Sequence, residues 1–103
     1  MHDDRLGFLG ILNRGKKTLI GAAAYEGIAK GRYAFLAKDA AKNTIKEARS
    51  ALAKHPLPCD ESYTKEELGK AIGYESVSFI VITDPHAAKK LIKEEKDEKT
   101  AME

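Results

Sequence analysis

Six consecutive strand-forming residues, VSFIVI over 77–82, constrain the fold of this chain more than any other stretch. A strand that is apolar at successive positions is buried on both faces, so it belongs in the middle of a covered sheet. Asp84 and Pro85 follow directly, and this pair predicts a helix that begins with Asp84 as its N-cap. The sequence therefore places a central strand in front of a covering helix.

Upstream of this strand, TKEELGKAIG over 64–73 carries signals for both ends of another helix. Thr64 and Glu67 match a capping box, in which each side chain accepts a hydrogen bond from the other residue's main-chain amide. Gly73 supplies the left-handed conformation that ends a helix. Four residues, 74–77, connect this helix to the central strand, and we call them the joint.

The remaining elements follow from the spacing of apolar residues and from helix breakers. They are a first helix over 4–13, a basic loop over 14–21, a second helix over 22–30 ended by Gly31, a buried strand over 33–37, a third helix capped by Asp39 and ended by Pro56, a weak edge strand at 57–60, and a fifth helix whose Ala88, Leu91 and Ile92 face inward.

Helices that alternate with buried strands predict a three-layer α/β/α sandwich on a small, mostly parallel or mixed sheet. A single domain is expected over 1–93. The charged segment 94–103 loses its apolar face, so we expect a disordered tail there.

The net charge of +2 divides unevenly along the chain. Residues 1–56 hold 11 Lys and Arg against 5 Asp and Glu, a net charge of +6, whereas residues 57–103 hold 7 against 11, a net charge of −4. A basic half on a small domain indicates a polyanionic partner, with nucleic acid as the first candidate, although a solvated charged surface produces the same pattern.

Cysteine and histidine content limits the chemistry of this chain. Cys59 is the only cysteine, which excludes internal disulfides and multi-cysteine metal sites and fits a reducing compartment. The three histidines are scattered, so a metal site is not expected. No apolar run approaches the roughly 20 residues of a membrane helix, and we expect a cytoplasmic protein without membrane contact.

Two features of the sequence suggest catalysis or nucleotide binding, and neither is complete. Cys59 with His55 would supply a nucleophile and a base, but Pro56 and Pro58 lie between them and no third orienting group is apparent. GFLGILNRGKKT has one lysine too many for a phosphate-binding P-loop, and no buried strand precedes it. We therefore predict a protein that is not an enzyme and takes no metal, cofactor or small-molecule substrate.

Three stretches, in order along the chain, resemble the family of kink-turn RNA-binding ribosomal proteins. They are LGFLGILNRGKK at 6–17, FLAKDAAKNT at 35–44 and TKEELGKAIGYESVSFIVITD at 64–84. The family includes large-subunit proteins seven-Ae and thirty-e, and the resemblance is strongest to its bacterial YlxQ-like branch. It implies a four-stranded mixed sheet and a non-catalytic protein of the translation apparatus that binds structured, kink-turn-like RNA, with ribosomal RNA and ribosomal proteins as partners.

The resemblance also implies an RNA-binding surface made of the helix start from Gly21 onward, the turn after the first strand, and the joint. The residues expected there, with nearby cations, are Lys16, Lys17, Thr18, Gly21, Ala22, Ala23, Lys30, Arg32, Lys38, Asp39, Gly73, Tyr74, Glu75, Ser76 and Val77. Gly73 is expected to let the main chain approach the RNA closely. Lys16 and Lys17 are expected to share a phosphate with the free N–H groups of the second helix.

RNA-binding members of this family commonly carry base-reading polar residues after the glycine, whereas Gly21 is followed by Ala22, Ala23 and Ala24. A second function therefore stays open: a protein-interaction module of the same fold that has lost specific RNA contacts. Salt-dependent binding to structured RNA separates the two, because neutralised phosphates release counterions.

Overall fold

In the computed structural model, the main chain is described over residues 4–102 and the side chains over residues 4–93. Within these residues, no helix has the length and the apolar character that crossing a membrane requires. The elements, in chain order, are α1 (Asp4–Arg14), β1 (Thr18–Ile20), α2 (Ala22–Glu26), a 3-10 turn (Ile28–Lys30), β2 (Tyr33–Leu36), α3 (Lys42–Lys54), β3 (Cys59–Asp60), α4 (Lys65–Ala71), β4 (Phe79–Ile82) and α5 (Pro85–Met102).

β4 lies inside a four-stranded sheet with the order β1-β4-β2-β3. It pairs antiparallel with β1 and with β2, while β3 pairs parallel with β2 at the far edge. Every residue of β4 and of β2 is buried. The predicted central strand, the edge strand and the α/β/α sandwich with a mixed sheet are therefore confirmed.

Alternate residues of the sheet face two different helical layers. Phe35 contacts Tyr63 on the side that carries α1, α4 and α5, with ring centroids 6.1 Å apart. Phe79 contacts Tyr25 of α2 on the opposite side, with centroids 5.1 Å apart, and α3 lies beside α2 there. Because helices cover both faces, β2 and β4 are apolar throughout instead of alternating with polar residues.

The basic loop predicted over 14–21 contains a strand, so that prediction was wrong. Thr18–Ile20 forms β1, an edge strand that pairs with residues 80–82 of β4. Three residues between Lys17 and Gly21 are too few for a periodic signal. Tertiary pairing with β4 specifies this strand more than its own sequence does.

The second helix, predicted as one element over 22–30, is interrupted at Gly27. α2 ends at Glu26, and the chain continues as the 3-10 turn. A Cβ at Gly27 would lie 2.5 Å from Cδ1 of Leu19, so the missing side chain lets this segment pack directly on β1. The low helix propensity of glycine favours a break at the same residue.

Asp39 does not cap the third helix, contrary to the prediction. α3 begins at Lys42, and its N-cap, Ala41, has no side-chain hydrogen bond to offer. The Asp39 carboxylate instead accepts a hydrogen bond of 2.8 Å from the main-chain N–H of Lys65. It therefore ties the turn after β2 to the start of α4.

The locally specified helix ends are confirmed. Thr64 and Glu67 form both hydrogen bonds of the capping box. Gly73 has a φ of 86° just after α4, and the Asp84 carboxylate accepts from the His86 amide at the start of α5. α5 continues to Met102; the side chains of the tail 94–103 lie outside the described residues, and its disorder stays a prediction.

A buried arginine, Arg5 of α1, connects both helical and sheet elements and was not predicted. Its guanidinium donates to Asp60 Oδ2 at 2.8 Å, to the Tyr33 hydroxyl at 2.7 Å and to the Leu91 carbonyl at 2.9 Å. It also lies 5.7 Å from the ring centroids of Tyr33 and Phe35. Burial lowers the pKa of Arg5, but the charges and hydrogen bonds of Tyr33 and Asp60 outweigh burial and raise it.

Arg5→Ala is expected to lower the free energy of unfolding by about 3–5 kcal/mol, because it leaves the Asp60 carboxylate buried without its cationic partner. Urea denaturation followed by far-UV circular dichroism measures the loss. Arg49→Ala is the matched control: Arg49 and its partner Glu61 have side chains 58% and 39% exposed, and such a pair contributes at most about 1 kcal/mol. Equal losses in the two variants would contradict a stabilising role for the buried cluster.

Candidate nucleic-acid interface

The direction of each strand decides at which end of the sheet the segments before and after it lie. β1 and β2 run in the same direction, antiparallel to β4 between them. The segments after β1 and β2 therefore lie where β4 begins, together with Gly21, Lys38 and the joint, and we call this the groove end. The opposite end carries Lys17 and Arg32, and we call it the basic end. Strands of three or four residues separate the two ends by about 10–13 Å.

An open groove of about 690 Å³ lies at the groove end. It brings together Gly21, between β1 and α2, and Ala22, the first residue of α2, with Tyr74, Ser76 and Val77 of the joint. Two segments that are more than 50 residues apart in the sequence therefore share one surface. Thr44 at the start of α3 is a further part of the lining.

Two glycines near the end of α4 shape the joint. The Tyr74 amide donates to the Gly69 carbonyl at 2.8 Å, and a Cβ at Gly69 would lie 2.6 Å from Cα of Ser76. A Cβ at Gly73 would meet nothing within 4 Å, so its contribution is its positive φ. A close main-chain approach within the protein is made at Gly69, and the close approach of RNA to Gly73 stays a prediction. The contact at Gly69 holds the joint against α4 and leaves Tyr74 51% exposed.

Two carboxylates that were not predicted, those of Glu26 and Glu47, also line the groove. Burial, and then the negative charge of Glu47, raise the pKa of Tyr25, whose phenol beside them stays neutral. Glu26 follows Ala22 by four residues and so lies on the same helix face, a spacing that could have found it. Glu47 belongs to α3, and only the fold places it in the groove.

The other residues expected at this end do not line the groove. Ala23, Lys38, Gly73 and Glu75 are exposed around it. Asp39 is engaged by the Lys65 amide, as described above. Of the residues expected at this end, Gly21, Ala22, Tyr74, Ser76 and Val77 therefore line the groove and the others do not.

Lys16, Lys17, Lys30 and Arg32 do not join the groove and lie toward the basic end. The Lys17 carbonyl accepts from the Thr83 amide at 3.0 Å, which fixes Lys17 beside the end of β4. β1 separates Lys16 and Lys17 from the start of α2. Lys16 and Lys17 therefore lie at the opposite end of β1 from the first N–H groups of α2. The prediction that they share one phosphate with these N–H groups was wrong.

Two polar contacts at the basic end are structural. The Lys17 ammonium pairs with Asp84 at 2.9 Å. This hydrogen bond, followed by that from the His86 amide, lowers the pKa of Asp84. The Thr18 hydroxyl donates to Asn13 Oδ1 at 2.7 Å and links β1 to α1, so Thr18 is occupied within the fold.

Cys59 lies half-buried in β3, in an environment that suppresses its reactivity. Burial, and then the charges of Glu61 and Asp60, raise the pKa of its thiol to about 12. A thiol that stays protonated at neutral pH is a poor nucleophile. In the part of the chain whose side chains are described, no three His, Cys, Asp or Glu side chains are grouped so as to hold a metal.

Comparison with known proteins supports the fold. No family model and no curated protein matches the chain. A solved structure of a protein with unknown function from Bacillus halodurans is similar to this chain, with a TM-score of 0.77 and 23% sequence identity, over 89% of this chain and 96% of that one. At this identity the likeness establishes the fold alone.

Gly69→Ala is expected to destabilise the protein by about 1–3 kcal/mol and to displace the joint, because the new Cβ would overlap the main chain at Ser76. Urea denaturation measures the change. Gly7→Ala in α1 is the control, since a Cβ there meets nothing within 4 Å, and it should stabilise by about 0.5–1 kcal/mol. A stabilising Gly69→Ala would mean that the joint does not depend on this contact.

Cys59 is expected to react with a disulfide reagent at pH 8 at least about 100-fold more slowly in the folded protein than in urea, because its raised pKa leaves little thiolate. Absorbance of the released thiolate dye follows the reaction. Cys59→Ser serves as the blank. A folded protein that reacts as fast as the unfolded chain would revive the cysteine–histidine interpretation.

Proposed function

We propose that this protein binds structured RNA and takes unpaired bases into the groove end. The observation that carries the proposal is the convergence of Gly21, Ala22 and the joint on one open groove that includes the exposed Tyr74. These are the segments that the resemblance to kink-turn RNA-binding ribosomal proteins implies. The proposal is for a non-catalytic, cytoplasmic protein of the translation apparatus, with ribosomal RNA and ribosomal proteins as its partners.

The chemistry of the groove suits bases better than phosphates. Tyr74 offers an exposed aromatic face, and stacking of a base on such a ring contributes about 1–3 kcal/mol. The carboxylates of Glu26 and Glu47 repel phosphates, but they accept hydrogen bonds from the exocyclic amino groups of bases. In RNA, such groups are accessible in loops and bulges, where bases are splayed out. Bent or looped RNA is therefore preferred over a plain duplex.

Cations beside the groove supply the backbone contacts. Lys38 follows β2 and Lys42 begins α3, both at this end of the sheet and both exposed. In this proposal their ammonium groups contact the phosphates that flank a captured base. Contacts of this kind position the RNA without reading its sequence.

A protein-interaction function is the second candidate, and one surface favours it. Ile11 of α1 is 57% exposed. It lines a groove of about 390 Å³ between α1 and α5, together with Phe8 and Ala87. Exposed apolar residues beside such a groove are typical of protein contacts. A protein bound there is expected to show little salt dependence, whereas RNA binding weakens steeply with salt.

Tyr74→Ala is expected to weaken binding to an RNA hairpin with an internal loop by about 5- to 150-fold, since the stacking energy of one base is lost. Fluorescence anisotropy at two salt concentrations, with the loop RNA and a plain duplex of equal length, measures the change. Tyr74→Phe keeps the ring and should bind like the parent protein.

Ser76→Glu tests the same surface independently by adding a negative charge to an exposed residue of the joint. It should weaken RNA binding and leave the melting temperature within about 2 °C. Absence of binding to either RNA at low salt would overturn the proposal. A large loss of stability with unchanged RNA affinity would make the joint a structural connection only.

A further inference from the structure

Exposed cations are concentrated around the basic end. They are Arg14, Lys16 and Lys17, which precede β1, and Lys30 and Arg32, which precede β2. In the described part of the chain, the carboxylate that the end of β4 places among them is Asp84, and it is already paired with Lys17 at 2.9 Å. The groove end, by contrast, has two carboxylates in its lining. Lys38 and Lys42 are also exposed at the groove end, so cations and carboxylates are mixed there, whereas among the described residues of the basic end the cations outnumber the carboxylates.

The strand register fixes the spacing of this charge. The Arg32 amide donates to the Ile82 carbonyl at 2.7 Å, and the Thr83 amide donates to the Lys17 carbonyl at 3.0 Å. Lys17 and Arg32 thus directly precede the strands on either side of β4, with main chains about 10 Å apart. Double-stranded nucleic acid presents closely spaced phosphates, about one charge per 1.7 Å of axis in DNA. Two cations about 10 Å apart are therefore far enough apart to meet different phosphates of one helix.

Lys16 occupies a position that usually holds glycine. α1 ends in a Schellman motif, in which the Lys17 amide donates to the Leu12 carbonyl at 2.9 Å and the Lys16 amide to the Asn13 carbonyl at 3.0 Å. Lys16 has a φ of 60° at the left-handed position of this motif, a conformation that glycine adopts without strain. A lysine in this conformation strains the main chain, and it adds a cation to the basic end.

We propose that the basic end is a second RNA-binding surface, which contacts the phosphate backbone of a helical RNA segment while the groove end holds unpaired bases of another segment. Ammonium and guanidinium groups of this kind follow the backbone and do not read bases. The bridging of two segments rests on the proposed function of the groove end. The backbone contact at the basic end stands independently of it.

Lys16→Ala combined with Arg32→Ala tests the backbone contact. The double variant should weaken binding to a plain RNA duplex and reduce the slope of log affinity against log salt by about 1–2, as the loss of one or two phosphate contacts does. Tyr74→Ala should leave duplex binding unchanged. Lys70→Ala with Lys93→Ala removes the same charge from exposed sites on α4 and α5, and an equal effect of that control would overturn the proposal.

Lys16→Gly separates the use of this lysine in binding from its effect on the fold. Glycine relieves the main-chain strain, so the variant should raise the melting temperature by about 4 °C while it weakens duplex binding. Lys16→Ala should weaken binding by a similar factor without the gain in stability. Unchanged duplex affinity in both variants would remove Lys16 from the surface.

A donor-labelled loop RNA and an acceptor-labelled duplex test the bridge by energy transfer in the presence of the whole protein. Transfer should require the protein and be lost in Tyr74→Ala and, separately, in the Lys16→Ala, Arg32→Ala variant. Displacement of the loop RNA by the duplex would mean a single site and would overturn the bridge. If Tyr74→Ala binds loop RNA normally while the basic-end variant loses duplex binding, the proposed function fails and the second surface remains.

The partner class is tested by competition. Polyglutamate, added at the same charge concentration as unlabelled duplex RNA, should displace labelled duplex far less effectively, because it lacks the regular phosphate spacing of a helix. Equal displacement would identify a general anion surface and would overturn the assignment to RNA.

Discussion

The buried guanidinium of Arg5 is the interaction on which the arrangement of the layers depends. Through Asp60, Tyr33 and the Leu91 carbonyl it joins α1 to β3, β2 and α5. A buried ion pair is tolerable only when its remaining donors and acceptors are satisfied, and here the second oxygen of Asp60 accepts from Ser62. The short strand β3 is thereby fixed at the sheet edge by a side-chain contact as well as by its two-residue ladder.

The antiparallel direction of β4 relative to β1 and β2 decides which loops lie side by side. Because β4 runs antiparallel to β1 and β2, its beginning lies where those strands end, and the joint arrives beside Gly21. A parallel β4 would have carried the joint to the cations around Lys17 instead. The acid-lined groove and the separate basic end are therefore consequences of one strand direction.

Local signals were sufficient for the elements whose ends are specified by neighbouring residues, such as the capping box at Thr64 and the left-handed Gly73. They failed where a distant partner decides the structure. β1 is specified by its pairing with β4. The Asp39 carboxylate accepts a hydrogen bond from Lys65 in α4 and does not cap the nearer α3. Arg5 reads as an exposed charge in a weak helix until its partners 28, 55 and 86 residues away are known. For the candidate site, the family resemblance predicted that Gly21 and the joint lie on one surface. That Glu47 lines the same groove could be seen only from the folded structure.

The fold separates some of the charged side chains between the two ends of the sheet. β1 and β2 both begin at the basic end, so the lysines and the arginine that precede them are collected there, while Glu26 and Glu47 follow strand ends and face the groove. An RNA that engaged both ends would have to offer backbone phosphates at one and an unstacked base at the other, about 10–13 Å away. A regular duplex cannot do this, because its bases are paired and stacked inside the helix. For the RNA binding proposed above, this charge distribution fits a sharply bent RNA or two separate RNA segments better than a continuous duplex.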